Sequence, residues 1–154
     1  MGYFDSDMEE MLEVYLLETR QLTGQLSAVL LDADKNNTFT REDIRNIFRI
    51  MHTIKGSSAM MGLKELSSMA HKLEDLFAYY REQDEEGVQA EAELFDLLFA
   101  ALDYIENELD CMLKEGYTPV SADKIENDTM RYLEAEKQKE SAVILSLIHI
   151  FYLF

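Results

Sequence analysis

Residues 40–62 read TREDIRNIFRIMHTIKGSSAMMG, and this stretch decides the fold. Its large apolar residues recur at steps of three and four, which is the spacing of one buried helix face: Ile44, Ile47, Phe48, Met51 and Ile54. Thr40, with Asp43 three residues later, has the pattern of a reciprocal helix cap, and Gly62 suits the position after a helix end. We therefore predict a helix over residues 40–61.

The same helical periodicity extends through most of the chain. No stretch alternates apolar and polar residues as strands do, and the 6 glycines and 1 proline give few breaks. The predicted helices cover residues 7–31, 40–61, 63–83, 89–113 and 121–139. Short connections favour antiparallel neighbours. The predicted fold class is all-α, an antiparallel up-down four-helix bundle with an additional C-terminal fifth helix.

The chain of 154 residues is expected to form a single domain, which we place at residues 5–140. The remaining residues, 141–154, form a tail whose composition is almost entirely apolar. This tail is shorter than the roughly 20 residues that a membrane-spanning helix requires. We interpret it as non-native or disordered, and the alternative is a dimerising or docking segment.

The charge balance restricts the classes of partner. The sequence has 14 basic and 31 acidic residues, a formal net charge of −17. Such a surface repels the phosphates of nucleic acids and anionic membranes. The first residues lack the basic segment and apolar run of a secretion signal. We expect a cytoplasmic protein that neither binds nucleic acid nor inserts into a membrane.

His52 is the first candidate for chemistry. It follows Met51 by about 100° around the predicted helix, at the edge of the buried face, where a side chain is both supported and accessible. A neutral imidazole has one unprotonated ring nitrogen near neutral pH and can act as a nucleophile. Lys55 lies on the same face and can offset negative charge that arrives on the ring. We predict a surface that carries a phosphoryl group.

The predicted third helix offers partners for this histidine. Ser67, His71, Glu74 and Ala78 follow one another at steps of three or four, so they form a line of polar and small residues. Antiparallel packing across a short turn would lay this line against the His52 face. A carboxylate that accepts the hydrogen of one imidazole nitrogen fixes the tautomer, and Glu74 is the best candidate. His71 is predicted to orient Glu74 or Lys55.

Four further residues beside His52 are candidates for docking a partner: Arg45, Arg49, Gly56 and Ser57. The two arginines extend the same flank of the helix and suit a phosphate-bearing or acidic partner. The glycine leaves a gap through which a bulky partner can approach. The simpler alternatives are that the arginines only solvate the helix and that the glycine only permits close packing.

Two motifs carry a resemblance to a known family. The segment HTIKGSSA at residues 52–59, followed by Met61 and Gly62, and the segment AHKLEDLF at residues 70–77 closely resemble the histidine phosphotransfer domain of CheA-type chemotaxis histidine kinases. The resemblance extends over roughly residues 5–140. Two separate motifs at this separation are far more specific than one short pattern.

The resemblance implies a role for each candidate. It places the phosphorylated histidine of the family on His52, and its supporting lysine, histidine and glutamate on Lys55, His71 and Glu74. In the family, the phosphoryl group comes from ATP on a separate kinase domain and passes to an aspartate of a response regulator receiver domain. The implied partners are therefore a kinase ATP-binding domain and receiver domains.

The sequence departs from a complete kinase. It has no glycine-rich phosphate loop and no receiver-like α/β pattern. We therefore expect that this chain cannot phosphorylate itself from ATP, that it is a fragment or a stand-alone relay, and that it needs no cofactor. Whether it counts as an enzyme stays undecided at this point. An isolated domain of this kind is expected to be a monomer.

Two other classes of function are alternatives. His71 and Glu74 have a helical spacing that occurs in metal-binding bundles, but the order of the two residue types is reversed and further inward carboxylates are missing. We therefore predict no metal site. The second alternative is a helical interaction module that binds a protein without covalent change.

Overall fold

The structure is a computed structural model, and it describes residues 2–83 and 86–153. A short 3-10 turn at Ser6–Met8 precedes the first of five helices, and two short strands lie in connections. The helices are α1 Glu9–Asn36, α2 Arg41–Met60, α3 Lys64–Glu82, α4 Ala92–Cys111 and α5 Asp123–Leu153, and the strands are β1 Thr38–Thr40 and β2 Gly87–Gln89. The predicted all-α class, a helical bundle with a fifth helix, is confirmed.

One core is shared by the first four helices. Leu26, Ile47, Leu73 and Leu98, one from each helix, are fully buried. The hydroxyl of Tyr15, early in α1, lies 2.8 Å from that of Ser58, late in α2, so these helices are antiparallel. Helix α5 packs on α3 and α4 and buries only Thr129 and Tyr132. The thin apolar face of α5 therefore makes it an addition to the bundle.

Helix α2 begins and ends where its sequence predicts. Thr40 Oγ1 accepts a hydrogen bond from the Asp43 N–H at 3.0 Å, and Asp43 Oδ2 accepts one from the Thr40 N–H at 3.0 Å. At the other end Gly62 has a φ of +74°, which glycine adopts without strain. The Gly62 N–H donates to the Ala59 carbonyl and the Leu63 N–H donates to that of Ser58. These caps fix the register of α2, and with it the direction of His52.

The sequence pattern did not predict the two short strands. They pair antiparallel, with Phe39 opposite Val88, and join the α1–α2 connection to the α3–α4 connection. A Cβ at Gly87 would lie 2.9 Å from the Phe39 carbonyl oxygen, so this close pairing requires glycine. Strands of three residues are too short to give an alternating pattern. Helix α4 consequently begins at Ala92, later than the predicted residue 89.

The helix ends also differ from the prediction in α1 and α5. Helix α1 continues to Asn36, past the predicted end at residue 31, and α5 continues to Leu153, past residue 139. The tail is therefore helical over residues 141–153, and a disordered tail was the wrong expectation for them. The physical reason is that this segment contains neither glycine nor proline to end the helix.

All the tail residues that the structure describes are exposed, and Phe154 lies outside the described residues. Among the described helices, none combines the length and the apolar composition needed to cross a membrane. The domain limits at residues 5–140 and the non-native origin of the tail stay predictions.

Candidate functional site

His52 lies on α2 where that helix packs against α3. Its neighbours Met51 and Ile54 are fully buried, while 62% of the His52 side chain is exposed. The backbone of the histidine is thus held by the core, and its ring remains accessible from solvent. This combination of a rigid base and an open ring is what a nucleophile that meets large partners needs.

Glu74 of α3 faces the imidazole. Its Oε2 lies 3.0 Å from His52 Nδ1, and only 13% of the glutamate side chain is exposed. An ionised carboxylate can only accept a hydrogen bond, so Nδ1 carries the hydrogen and Nε2 is left with a lone pair. No described residue forms a hydrogen bond with Nε2. The contact with Glu74 therefore selects the tautomer whose outer nitrogen is nucleophilic.

Lys55 completes a three-residue cluster. Its Nζ donates to Glu74 Oε1 at 2.9 Å, so both carboxylate oxygens of Glu74 are engaged. The Ser67 hydroxyl donates to the Lys55 backbone carbonyl at 2.9 Å and ties α3 to α2 next to the site. Partial burial acts to raise the pKa of Glu74, but the hydrogen bonds from Lys55 and His52 and the positive charge of Lys55 outweigh it. The pKa of Glu74 therefore lies below its usual value.

Phe48 lies one helical turn before His52 and contacts its ring. The two ring centroids are 6.0 Å apart and the ring planes differ by 16°. The guanidinium carbon of Arg81, in the last turn of α3, lies 4.0 Å from the centroid of the Phe48 ring. The helical periodicity predicted only a buried-face position for Phe48. Its spacing of four from His52 could have indicated the stacking, whereas nothing in the sequence pointed to Arg81.

His71 is the one predicted member that the structure leaves outside the cluster. Its Nε2 lies 3.6 Å from Asp75 Oδ1, one turn further along α3, and about half of each side chain is exposed. Among the described contacts, His71 has no hydrogen bond to Glu74 or Lys55. The physical reason is that the imidazole pairs along its own helix, while both oxygens of Glu74 are already engaged by α2.

The predicted docking residues lie on the outer side of α2. Arg45 is exposed, and Arg49 donates to Asn46 Oδ1 at 3.0 Å. A Cβ at Gly56 would meet nothing within 4 Å, so the surface beside His52 is open there. The Ser57 hydroxyl donates to the Thr53 carbonyl at 3.0 Å.

An apolar groove between α1 and α2 continues this surface. It is lined by Glu10, Met11, Val14, Tyr15, Glu18, Ser57, Met60 and Met61. Val14 is 54% exposed and Met60 is 75% exposed, values that are high for apolar side chains. Nothing in the sequence pattern predicted this groove, and Met11, which lines it, is 45% exposed.

One cluster of carboxylates lies away from His52. Within the part of the chain that the structure describes, Glu65, Asp123 and Glu126 are the only three carboxylates close enough to share an ion. Glu65 Oε2 accepts a hydrogen bond from the Ala122 N–H at 3.0 Å, and Glu126 accepts one from the Ser68 hydroxyl. These bonds join α5 to α3, which accounts for the cluster without a metal.

Comparison with known proteins agrees with this geometry. The sequence model of the Hpt domain matches residues 10–115. The chain is 38% identical over 111 residues to the chemotaxis protein CheA of Borreliella burgdorferi. The matched region covers 71% of this chain and 12% of that protein. It is 34% identical over 108 residues to the chemotaxis protein CheA of Treponema pallidum, covering 70% of this chain and 13% of that protein.

A solved structure has the same fold. The solution structure of the histidine phosphotransfer domain of CheA matches with a TM-score of 0.66 and 27% sequence identity, covering 81% of this chain and 92% of that chain. The chain thus spans about an eighth of the length of the two curated relatives named above, and nearly all of the solved domain. The family resemblance predicted from residues 52–62 and 70–77 is confirmed, and this chain belongs to the Hpt domain family.

Proposed function

We propose that His52 carries a phosphoryl group from ATP, bound on a separate kinase domain, to an aspartate of a response regulator receiver domain. The observation that carries the proposal is the 3.0 Å contact between His52 Nδ1 and Glu74 Oε2 on a ring that is 62% exposed. Membership of the Hpt domain family and similarity to CheA proteins support it.

In the first step the lone pair of His52 Nε2 attacks the γ-phosphorus of ATP. The N–P bond forms while the bond from that phosphorus to the bridging oxygen breaks, and the electron pair of the broken bond leaves on ADP. Nδ1 keeps its hydrogen, shared with Glu74, so the positive charge that develops on the ring faces a carboxylate. The products are ADP and an Nε2-phosphorylated His52.

In the second step a carboxylate oxygen of the receiver aspartate attacks the phosphorus. The O–P bond forms as the N–P bond breaks, and its electron pair returns to Nε2. His52 is then restored with its hydrogen still on Nδ1. No proton has to leave the site in either step, which suits an exposed histidine without a separate base.

Lys55 and Glu74 support both steps in different ways. Glu74 fixes the tautomer and stabilises the charged ring, as a carboxylate does for a reacting imidazole. The ammonium of Lys55 lies 2.9 Å from Glu74 and is 28% exposed, so it is available to attract the incoming phosphoryl oxygens. Phosphoryl transfer depends mostly on positioning and charge, and these two residues supply both.

The residues proposed to dock a partner lie on two sides of the His52 ring. Arg45 and Arg49 give a positive flank in a chain whose net charge is −17, so this flank suits an acidic partner surface. On the other side, Gly56 and Ser57 lead into the apolar groove beside Met60. We assign the groove to the receiver domain, because it continues directly from the surface where the aspartate has to reach His52.

The proposal also includes the site of ATP binding, the localisation, the oligomeric state and a role for His71. ATP binding lies on another domain, and the domain acts in the cytoplasm as a monomer when isolated. His71 is retained as a predicted supporting residue, although its described contact is with Asp75.

The test uses the kinase core of a CheA-type protein, radiolabelled ATP and this domain. We expect label that is stable in base and labile in acid, that is absent from His52→Gln, and that passes to a receiver domain added afterwards. An equal label on His52→Gln would reject the site. Binding of the receiver without any label on the unchanged domain would favour the alternative, a non-covalent interaction module.

A further inference from the structure

Two side chains outside the cluster of His52, Lys55 and Glu74 form a stack beside it, in which one contacts the histidine ring and the other contacts the first. The Phe48 ring lies nearly parallel to the His52 ring, at 16° and 6.0 Å between centroids. The Arg81 guanidinium carbon lies 4.0 Å from the centroid of the Phe48 ring. Because α2 and α3 are antiparallel, the last turn of α3 passes the turn of α2 that precedes His52.

The hydrogen bond to Glu74 does not by itself define the direction of Nε2. It fixes the distance of one ring atom, Nδ1, from one oxygen, while the ring can still tilt about that contact. With 62% of its side chain exposed, His52 has little other packing to limit this tilt. A second contact, made on the ring plane, is what defines the orientation, and Phe48 supplies it.

Phe48 itself needs support, because its side chain is only partly buried. A guanidinium over an aromatic ring is attracted by the electron density of the ring face, and arginine adds a flat surface for packing. Arg81 therefore holds the Phe48 ring on α2. In turn, that ring limits the tilt of the imidazole.

We propose that Arg81 and Phe48 are positioning residues that act through the His52 ring plane and keep Nε2 directed at the incoming phosphorus. This inference rests on the proposed function of His52. It differs from docking, because a positioning effect persists when the phosphoryl donor is a small molecule that makes no protein contact.

The decisive measurement is phosphorylation of His52 by phosphoramidate, a small donor, with His52→Gln as the blank. A cation–π contact at an exposed position changes an equilibrium about two- to fivefold. We expect Arg81→Ala to slow phosphorylation by about this factor and Phe48→Leu to slow it at least as much. Arg81→Lys keeps a cation able to lie over the ring and should recover part of the rate.

Matched controls are available on α1 and α4, outside the contact between α2 and α3. Arg20→Ala removes an equally charged residue that pairs with Asp110, and Phe99→Leu removes a ring that stacks on Phe95. Both control variants should react at the rate of the unchanged domain. Circular dichroism of all variants checks that the helical bundle is intact.

A second readout is the proton NMR spectrum of the His52 ring at a pH where the ring is neutral. A ring stacked on Phe48 should show ring-current shifts of its carbon-bound protons, and Arg81→Ala, which keeps Phe48, should move these shifts toward those of an unstacked imidazole. Folded Arg81→Ala with an unchanged spectrum and an unchanged phosphoramidate rate would overturn the inference. The inference would also be overturned if Arg81→Ala slowed phosphorylation by the kinase domain and ATP but not phosphorylation by phosphoramidate. That result would make Arg81 a docking residue.

The two proposals fail separately. If the kinase core does not label His52 in the unchanged domain, the proposed function fails. The ring spectrum still decides whether Arg81 and Phe48 orient the imidazole.

Discussion

Glu74 Oε2 lies 3.0 Å from His52 Nδ1, and the second oxygen of the same carboxylate accepts from Lys55 Nζ at 2.9 Å. One partly buried acid on α3 thus holds both functional side chains of α2. Two features position this contact. Gly62 adopts a positive φ in the short turn between α2 and α3, and the Ser67 hydroxyl of α3 donates a hydrogen bond to the Lys55 carbonyl at 2.9 Å.

Replacing Glu74 should slow phosphorylation without unfolding the bundle. A hydrogen bond to a charged group contributes roughly 1.5–3 kcal/mol, so Glu74→Ala should lower the rate of phosphoryl acceptance about ten- to a hundredfold. Glu74→Gln keeps the shape and an acceptor oxygen, so its rate should lie between that of the unchanged domain and that of Glu74→Ala. Rates are measured with the kinase core and ATP, with Glu106→Gln at an exposed position of α4 as the control. An unchanged rate in Glu74→Ala would remove the role of tautomer selection.

Lys55→Ala should lower the rate of phosphorylation of His52 and also change the pKa of the neighbouring Glu74. The lysine is the larger of the two side-chain hydrogen-bonding influences that lower the pKa of Glu74. Removing it should raise the pKa of Glu74 toward its usual value, which a carbon NMR titration of the Glu74 carboxyl measures directly. Lys114→Ala, at an exposed position after α4, is the control and should leave this pKa unchanged. A Glu74 pKa that does not move would mean that Lys55 contributes little charge at the site.

Acid should weaken the fold partly through Glu74. A carboxyl whose folded-state pKa is lowered contributes stability that is fully present above its unfolded pKa, about 4.3, and is lost as the pH falls through the folded pKa. The free energy of unfolding of the unchanged domain should therefore exceed that of Glu74→Gln near neutral pH, and the two should converge in acid. Urea unfolding between about pH 3 and about pH 7 measures this difference. A difference that is constant over this range would contradict the lowered pKa.

The positions of His52, Lys55 and Glu74 followed from helical spacing, because caps at Thr40 and Gly62 fix the register of α2 and a short turn makes α3 antiparallel. The stack of Arg81 on Phe48 could not be predicted from helical spacing. The two residues lie on different helices, and the rotamer of Arg81 depends on this neighbour. The same limit applies to β1 and β2, whose pairing is a long-range contact between two connections. The direction of the His71 ring also depended on a local competitor, Asp75, that spacing alone does not rank.

His71→Ala tests the residue that the structure leaves outside the cluster. Because its described contact is with Asp75 at 3.6 Å, we expect a much smaller loss of phosphorylation rate than in Glu74→Ala. The measurement is the same kinase assay, with Asp75→Asn to remove the partner of the histidine. A loss in His71→Ala as large as that in Glu74→Ala would support the sequence prediction that His71 orients the cluster.

A charge placed in the α1–α2 groove should separate docking from chemistry. Val14 is 54% exposed and lines the groove with Met60, so Val14→Glu adds a charge to an apolar contact surface without burying it in the core. We expect the KM for transfer to a receiver domain to rise about tenfold, as burying an unpaired charge at an interface costs at least 1.4 kcal/mol. Phosphorylation by phosphoramidate should be unchanged, because a small donor does not use the groove. Leu31→Glu, at a residue that is 65% exposed near the other end of α1, is the control. If Val14→Glu and Leu31→Glu transfer equally well, the receiver domain docks elsewhere on the bundle.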